Sequence, residues 1–468
     1  MSRRIGRLVL TLAFVSLAPP AIRTCFAAEP DYARAAREGL EHLKAIVRVD
    51  TSNPPGNEIR VADYMAGKLR EAGVEAQRFE AAPGRGSLVA RIRGNGSKRP
   101  LLIMAHIDVV PVEASRWSVD PFGAVEKDGY LWGRGTLDDK GMAAAELQVM
   151  LELARSHAKL SRDVVFLAEA DEETGGANGM DSLLKKQPEL FDAELVLNEG
   201  GYVFWGPDRK VLYVAVQTTE KIYQDFTITA HGVAGHSSIP SANNPVDHLV
   251  LALDRVSKIE FPVEMNDVTR AFFSGIASRL PGEQAACAGK LEENSGKACF
   301  EALSKNPNFG AVLRNTCTPT MLKAGYKENV IPAEATGNLN CRLLPGTDLA
   351  KLQEMLQRTI GDPDVTVAPA MEFPPPASAS STASPLFEAI RKVAAKMYPG
   401  APVVPYMSPG GTDSQGLRKR GMIAYGLLPS PIQEEELKTM HAKDEKVAVD
   451  AFALGQEMLL RVVLETAK

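Results

Sequence analysis

Apart from residues 8–18, no stretch of this sequence is both long and strongly apolar, and that one is short for a bilayer, so no candidate membrane span is left. Basic residues are not in excess. The 53 Lys and Arg stand against 58 Asp and Glu with no basic stripe, which argues against a nucleic-acid partner. Cysteine is scarce, five in 468 residues, and no two have the C-x-x-C spacing of a cysteine zinc site. What remains is an ordinary globular composition, 45% apolar and 24% charged, with length for two domains or one carrying a large insertion.

Residues 1–28 read as a signal peptide. Arg3, Arg4 and Arg7 precede the apolar run and the small residues Ala27-Ala28 follow it, the order of n-region, h-region and cleavage site. The expectation is a periplasmic or secreted protein with no membrane contact after cleavage. Export permits disulfides. Cys287 and Cys299 flank a polar stretch and are the expected pair among the four cysteines that follow the signal.

From residue 29 to about 218, strand-length apolar runs alternate with helical periodicity. Helices are expected over 32–49, 59–72, 141–156 and 180–186, and strands over 87–92, 101–105, 164–168 and 195–198. This is the pattern of an α/β domain with a mostly parallel sheet and helices on both faces. Over 219–372 the order becomes β-α-β-β-α-β, an α+β domain inserted in the first, with a polar insertion of its own over 264–315. Residues rich in Pro, Ala and Ser then lead back, and 373–468 completes the first domain.

Three apolar strands end on a His or a carboxylate. One leads into His106-Ile107-Asp108, one into Asp171-Glu172-Glu173, and one into Asn198-Glu199-Gly200. Like charges crowded at one sheet edge repel unless a cation joins them. With Asp138, behind the bend Gly133-Arg134-Gly135, and His441, the set holds two imidazoles and three acids. That donor set suits zinc, and also cobalt or manganese. If one carboxylate bridges, five ligands serve two metals, and the neighbour Glu172 is free to act as a base. His106 and Asp108 are one residue apart, so on an extended chain the Asp can orient the imidazole.

His106-Ile107-Asp108, Asp138-Asp139-Lys140-Gly141, Asp171-Glu172-Glu173, Gly235-His236-Ser237, Gly410-Gly411-Thr412-Asp413 and His441 follow an order that resembles one zinc metallopeptidase superfamily. It comprises the aminoacylases, acetylornithine deacetylases, succinyl-diaminopimelate desuccinylases and glutamate carboxypeptidases. Trp117, Asn198-Glu199-Gly200 and Arg342-Leu343-Leu344-Pro345-Gly346 resemble most the branch of carboxypeptidase S and the N-acyl amino acid hydrolases. The resemblance implies a di-zinc catalytic domain with an inserted lid and dimerisation domain. It makes His106, Asp138, Glu173, Glu199 and His441 the metal ligands, with Asp138 bridging. Asp108 orients His106, Glu172 is general base and acid, and His236 stabilises the oxyanion in the neighbouring subunit of a homodimer. Asn329 and Arg342 hold the substrate's carboxylate or amide oxygen, and Gly410, Gly411 and Thr412 line the same pocket. The implied activity is cleavage of an amide next to a free carboxylate. It is expected as a carboxypeptidase on small peptides, with N-acyl amino acid hydrolysis as the alternative and an inactive binding protein on the same scaffold as a remote one. An aminopeptidase would need an acid for the substrate's amino group, and none stands out.

Overall fold

In the computed structural model, which describes residues 29–291, 296–373 and 377–468, the strand Leu101–His106 lies in the middle of an eight-stranded sheet and is buried along its whole length. The signal peptide expected over 1–28 lies outside the described residues. The sheet order is Ala76–Ala82, Arg85–Ile92, Val164–Glu169, Leu101–His106, Leu195–Trp205, Ile423–Ile432, Val211–Glu220, Val403–Ser408. Its central pairings are parallel and antiparallel strands flank them, so the sheet is mainly parallel, as expected.

Alternation along each central strand explains why both faces are covered. Leu101, Ile103 and Ala105 pack under the helices Tyr32–Val47, Lys140–Ser156, Pro385–Met397 and Val449–Ala467. Leu102 and Met104 face the other way, against Met180, Leu183, Leu184 and Leu417. Lys140–Ser156 is buried from Lys140 to Leu153, because the sheet covers one side of it and the helices Tyr32–Val47 and Val449–Ala467 the other.

The second unit is an antiparallel sheet ordered Thr316–Ala324, Glu334–Leu343, Ile222–His231, Val365–Pro369. One face carries the helices Pro245–Ser257 and Leu349–Ile360 over Phe226, Ile228 and Leu339. The opposite face is polar, with Tyr223, Asp225, Asn340 and Arg342 on it. Lys221 alone separates the strands Val211–Glu220 and Ile222–His231, one from each sheet.

The segment 264–315 differs from its expected place. It forms the short helices Asp267–Ile276, Gly282–Ala288, Lys297–Ser304 and Pro307–Val312 among the described residues. These do not extend the lid. Phe272, Phe273 and Phe309 pack onto Tyr213, Ala215, Val404 and Tyr406, covering the edge of the large sheet. Cys287 and Cys299 form the expected disulfide within this segment, and Cys317 pairs with Cys341 directly across neighbouring strands.

Candidate metal centre

The end of the Leu101–His106 strand delivers His106, 3% exposed, to the carboxyl edge of the parallel strands, where open α/β sheets bind ligands. Its Nδ1 donates to the Asp108 carbonyl at 3.0 Å and its Nε2 lies 2.9 Å from Asp138 Oδ1. Asp108 thus orients the ring through its backbone carbonyl and, at 3.5 Å, through Oδ1, and its carboxylate also does something the spacing did not suggest. It accepts the Glu172 and Glu173 amides at 3.2 and 3.1 Å and Asn53 Nδ2 at 2.7 Å. One residue therefore sets both the imidazole and the loop that carries Glu172 and Glu173.

That loop turns at Asp171, whose φ of 72° is left-handed, a region Asp tolerates better than most residues. The Asp171 side chain accepts from Thr174 at 2.6 Å, Asn53 at 3.0 Å, Asn178 N at 2.7 Å and Arg85 at 2.5 Å, and Glu58 holds Arg85 from behind. Asp138 comes from the bend at Gly135, φ 89°, where a Cβ would meet Val109 at 2.8 Å. The buried Glu445 carboxylate caps this bend. It accepts the amides of Gly135, Leu137 and Asp138 at 2.8 to 3.1 Å and one Arg134 N–H at 2.5 Å. Glu445 sits on the same loop as His441, so it ties the two together.

His441 Nε2 lies 2.9 Å from Asp138 Oδ2 and 3.2 Å from Glu173 Oε1. Each Asp138 oxygen therefore faces a different imidazole, the arrangement of a bridging carboxylate. Glu199 lies inside the Leu195–Trp205 strand, which runs on past the expected end at Asn198. Two overlapping trios, His106–Asp138–Glu173 and His106–Asp139–Glu199, each bring one ligand atom per residue within 4.8 Å of the others.

The electrostatics call for cations. Burial pushes the Glu199 carboxyl well up, and Asp138 adds to this. Burial likewise takes Glu172 up to about 8, opposed by His106 and reinforced by Asp413, Glu173 and Asp138. Asp138 and Glu173 hold the His441 imidazole at about 10, so in the metal-free protein the protonated histidines stand in for cations. Both Asp139 oxygens are buried with no hydrogen-bond partner among the described residues. Donor set, orphaned oxygens and mutual repulsion all fit divalent cations.

The other expected residues divide. His236, on the two-residue strand Gly235–His236, is exposed, and its Nδ1 contacts only its own turn, at Ser238. Asn329 is beside it, accepting the Ser237 amide at 3.1 Å, and both are on the lid. Neither has a hydrogen bond or ion pair to the acid cluster among the described residues. Arg342 stacks over Tyr223 at 4.6 Å, donates from Nε to Asn340 Oδ1 at 3.3 Å, has no ion pair among the described residues, and lies within electrostatic reach of Asp225 and Glu172. The Gly410 amide is taken up by Ser408 Oγ at 3.1 Å, Gly411 is exposed, and Thr412 Oγ1 contacts Gln217 and Glu220 at 3.4 and 3.5 Å. The sequence reading missed Asn53, Arg85, Asp139 and Glu445. Only Asp139 had a visible signal, its place beside Asp138.

The profile of Peptidase family M20/M25/M40 matches residues 102–465. The chain belongs to this family. It is a metal-dependent hydrolase of the peptidase and amidohydrolase type. The N-fatty-acyl-amino acid synthase/hydrolase PM20D1 of Xenopus tropicalis is 28% identical over 389 residues, 78% of this chain and 72% of that protein. The Dictyostelium discoideum protein named Probable carboxypeptidase S-like 2 is 29% identical over 392 residues, 82% and 75% of the two chains. Among solved structures, the M20 family metallo-carboxypeptidase Sso-CP2 of Sulfolobus solfataricus shares the fold with a TM-score of 0.71 at 21% identity, covering 92% of this chain and 99% of that one.

Proposed function

We propose that this chain is an exported di-zinc hydrolase that cleaves an amide bond next to a free carboxylate. The observation that carries the reading is Arg342, a half-buried guanidinium that forms no ion pair among the described residues and lies within electrostatic reach of Asp225 and of Glu172. A buried cation left unpaired is costly, and a substrate carboxylate supplies the bidentate partner that an Arg fork prefers. Two cations, one held by His106, Asp138 and Glu199 and the other by His441, Asp138 and Glu173, would polarise a carbonyl and lower the pKa of a water.

This chain's own groups do the rest. Glu172 takes a proton from the attacking water and returns it to the leaving nitrogen. Asp108 and Asn53 hold the Glu172 loop in place. His236, exposed on the lid and with no hydrogen bond or ion pair to its own acid cluster among the described residues, serves the partner subunit of a dimer as oxyanion donor. The apolar exposed residues Met321 and Leu322, on the edge strand Thr316–Ala324, and Val250 and Leu251, on the adjoining helix, suit that dimer contact. Two disulfides support export, as does the order of residues 1–28, and no described helix is long and apolar enough to cross a membrane.

The test is hydrolysis of dipeptides and N-acyl amino acids, each with its carboxylate free or amidated, by the zinc-loaded protein with and without a chelator. The expected result is chelator-sensitive cleavage that needs the free carboxylate. Glu172→Gln is expected to keep its metal and lose roughly 100- to 10,000-fold in kcat. Cleavage indifferent to the chelator, or near-normal turnover by Glu172→Gln, would sink the reading.

A further inference from the structure

The polar face of the lid sheet carries four residues whose side chains bond in sequence. Strand register puts Arg342 directly opposite Tyr223 and Asn340 directly opposite Asp225, so the four share one face of the strands Glu334–Leu343 and Ile222–His231. Asp225 Oδ2 accepts the Tyr223 hydroxyl at 2.7 Å, and Asp225 Oδ1 accepts Asn340 Nδ2 at 2.7 Å. Asn340 Oδ1 in turn accepts Arg342 Nε at 3.3 Å, and the Tyr223 ring centre lies 4.6 Å from the guanidinium. All four residues are partly buried.

The direction of these bonds decides what the guanidinium has left to give. A side-chain amide has an oxygen acceptor at one end and N–H donors at the other, whereas an ionised carboxylate only accepts. Asp225 therefore draws Asn340 Nδ2 to itself and turns Oδ1 toward Arg342. The reversed amide would set an oxygen against a carboxylate and N–H groups against N–H groups. Asp225 spends its own oxygens on two neutral donors and forms no ion pair with Arg342 among the described residues. Nε is committed to Asn340, and the two terminal nitrogens keep the fork that takes a carboxylate bidentately. The Tyr223 ring covers one face of the guanidinium, so its edge is the place of approach. A long side chain held in this way before substrate arrives is not left to be ordered on binding.

We propose that Asp225 is a positioning residue for recognition of the substrate's carboxylate, acting on Arg342 through the Asn340 amide. The proposal rests on the reading above that Arg342 holds that carboxylate, and it names what aims the guanidinium. Asp225 and Asn340 make no hydrogen bond to the acid cluster among the described residues, so their effect passes through Arg342.

The experiment measures kcat/KM of the zinc-loaded protein for N-acetyl-phenylalanine and leucyl-phenylalanine, each with its carboxylate free or amidated. The readout is the ratio of free acid to amide. In the parent this ratio is expected to be roughly 100 or more, and Arg342→Ala is expected to bring it close to one. Asp225→Ala and Asn340→Leu are each expected to lower it roughly tenfold, through a rise in KM for the free acid that the amide does not share. A general loss of folded enzyme would lower both compounds alike. Asp225→Asn keeps an oxygen for Asn340 Nδ2, and its ratio is expected to stay within about threefold of the parent's. A ratio unmoved in both Asp225→Ala and Asn340→Leu, or a loss in Asp225→Asn as deep as in Asp225→Ala, overturns the positioning role. The fall in Arg342→Ala then leaves the carboxylate reading standing. A parent that cleaves no compound or shows no preference for the free acid, or a preference that Arg342→Ala does not lower, overturns both.

Discussion

Glu445 joins Asp138 and His441, which lie far apart in the sequence, through one carboxylate. Three amides of the 135–138 bend and the Arg134 guanidinium all donate to it. Such outer partners typically tune metal affinity 10- to 100-fold. Glu445→Gln keeps the shape and removes the charge, and its amide nitrogen cannot accept. Zinc affinity measured by calorimetry is expected to fall by about that factor, with a smaller effect on thermal stability of the metal-free protein. Unchanged affinity would make Glu445 a merely structural residue. His106 and Asp138 were legible as candidates because one ends a strand and the other follows a glycine bend, where local pattern and chemistry coincide. Glu445 and Asn53 were not. Their roles depend on which distant groups the fold brings to them, carboxylates that accept from Asn53 and backbone amides that donate to Glu445, and nothing local records that.

At the scale of elements, the helices were the clearest. Leu349–Ile360 and Pro385–Met397 have one buried stripe each and a capping Asp348 or Ser384, all visible as spacing and composition. Val403–Ser408 escaped because Pro405 breaks a strand pattern. Proline is tolerated there since this is the edge strand of the sheet. The helices of 264–315 escaped because they are short, and half of their apolar surface is explained only by the sheet edge that they cover.

The junction between the two sheets is also an element with its own chemistry. Lys221 is fully buried, and its Nζ donates to Ala311 O and Arg314 O at 2.8 Å and to Thr316 Oγ1 at 3.1 Å. It pins the end of the inserted segment to the hinge of the lid. Burial, with Arg342 nearby, lowers its pKa from 10.5 to about 7. Below about 7 the lysine is charged in both folded and unfolded chains, and the folded state bears the whole penalty. Between about 7 and 10.5 the unfolded chain holds the proton and the folded one has released it, so the penalty fades as pH rises. The melting temperature of the parent relative to Lys221→Met is therefore expected to rise over that interval. A constant difference would mean that the three oxygen acceptors keep the ammonium charged.

At the scale of the molecule, the lid presents its polar sheet face, with Arg342, on one side and an apolar edge on the other. Met321 and Leu322 are 70% and 67% exposed. Unpaired edge strands with apolar side chains invite pairing with another chain. Leu322→Lys is expected to turn a dimer into a monomer in sedimentation velocity and to lower kcat, since each site would lose the partner subunit's His236. A parent protein that sediments as a monomer would remove that role from His236.

The helix Val449–Ala467 packs against Tyr32–Val47, Lys140–Ser156 and Pro385–Met397 and covers the strand Ile423–Ile432. It follows all of those elements in the chain. The faces that it covers on Tyr32–Val47 and Lys140–Ser156, both made before the lid, stay without it while the whole lid is being made. The helical layer over the large sheet is thus completed only after the lid has been made, so the catalytic unit cannot finish folding ahead of the unit inserted in it.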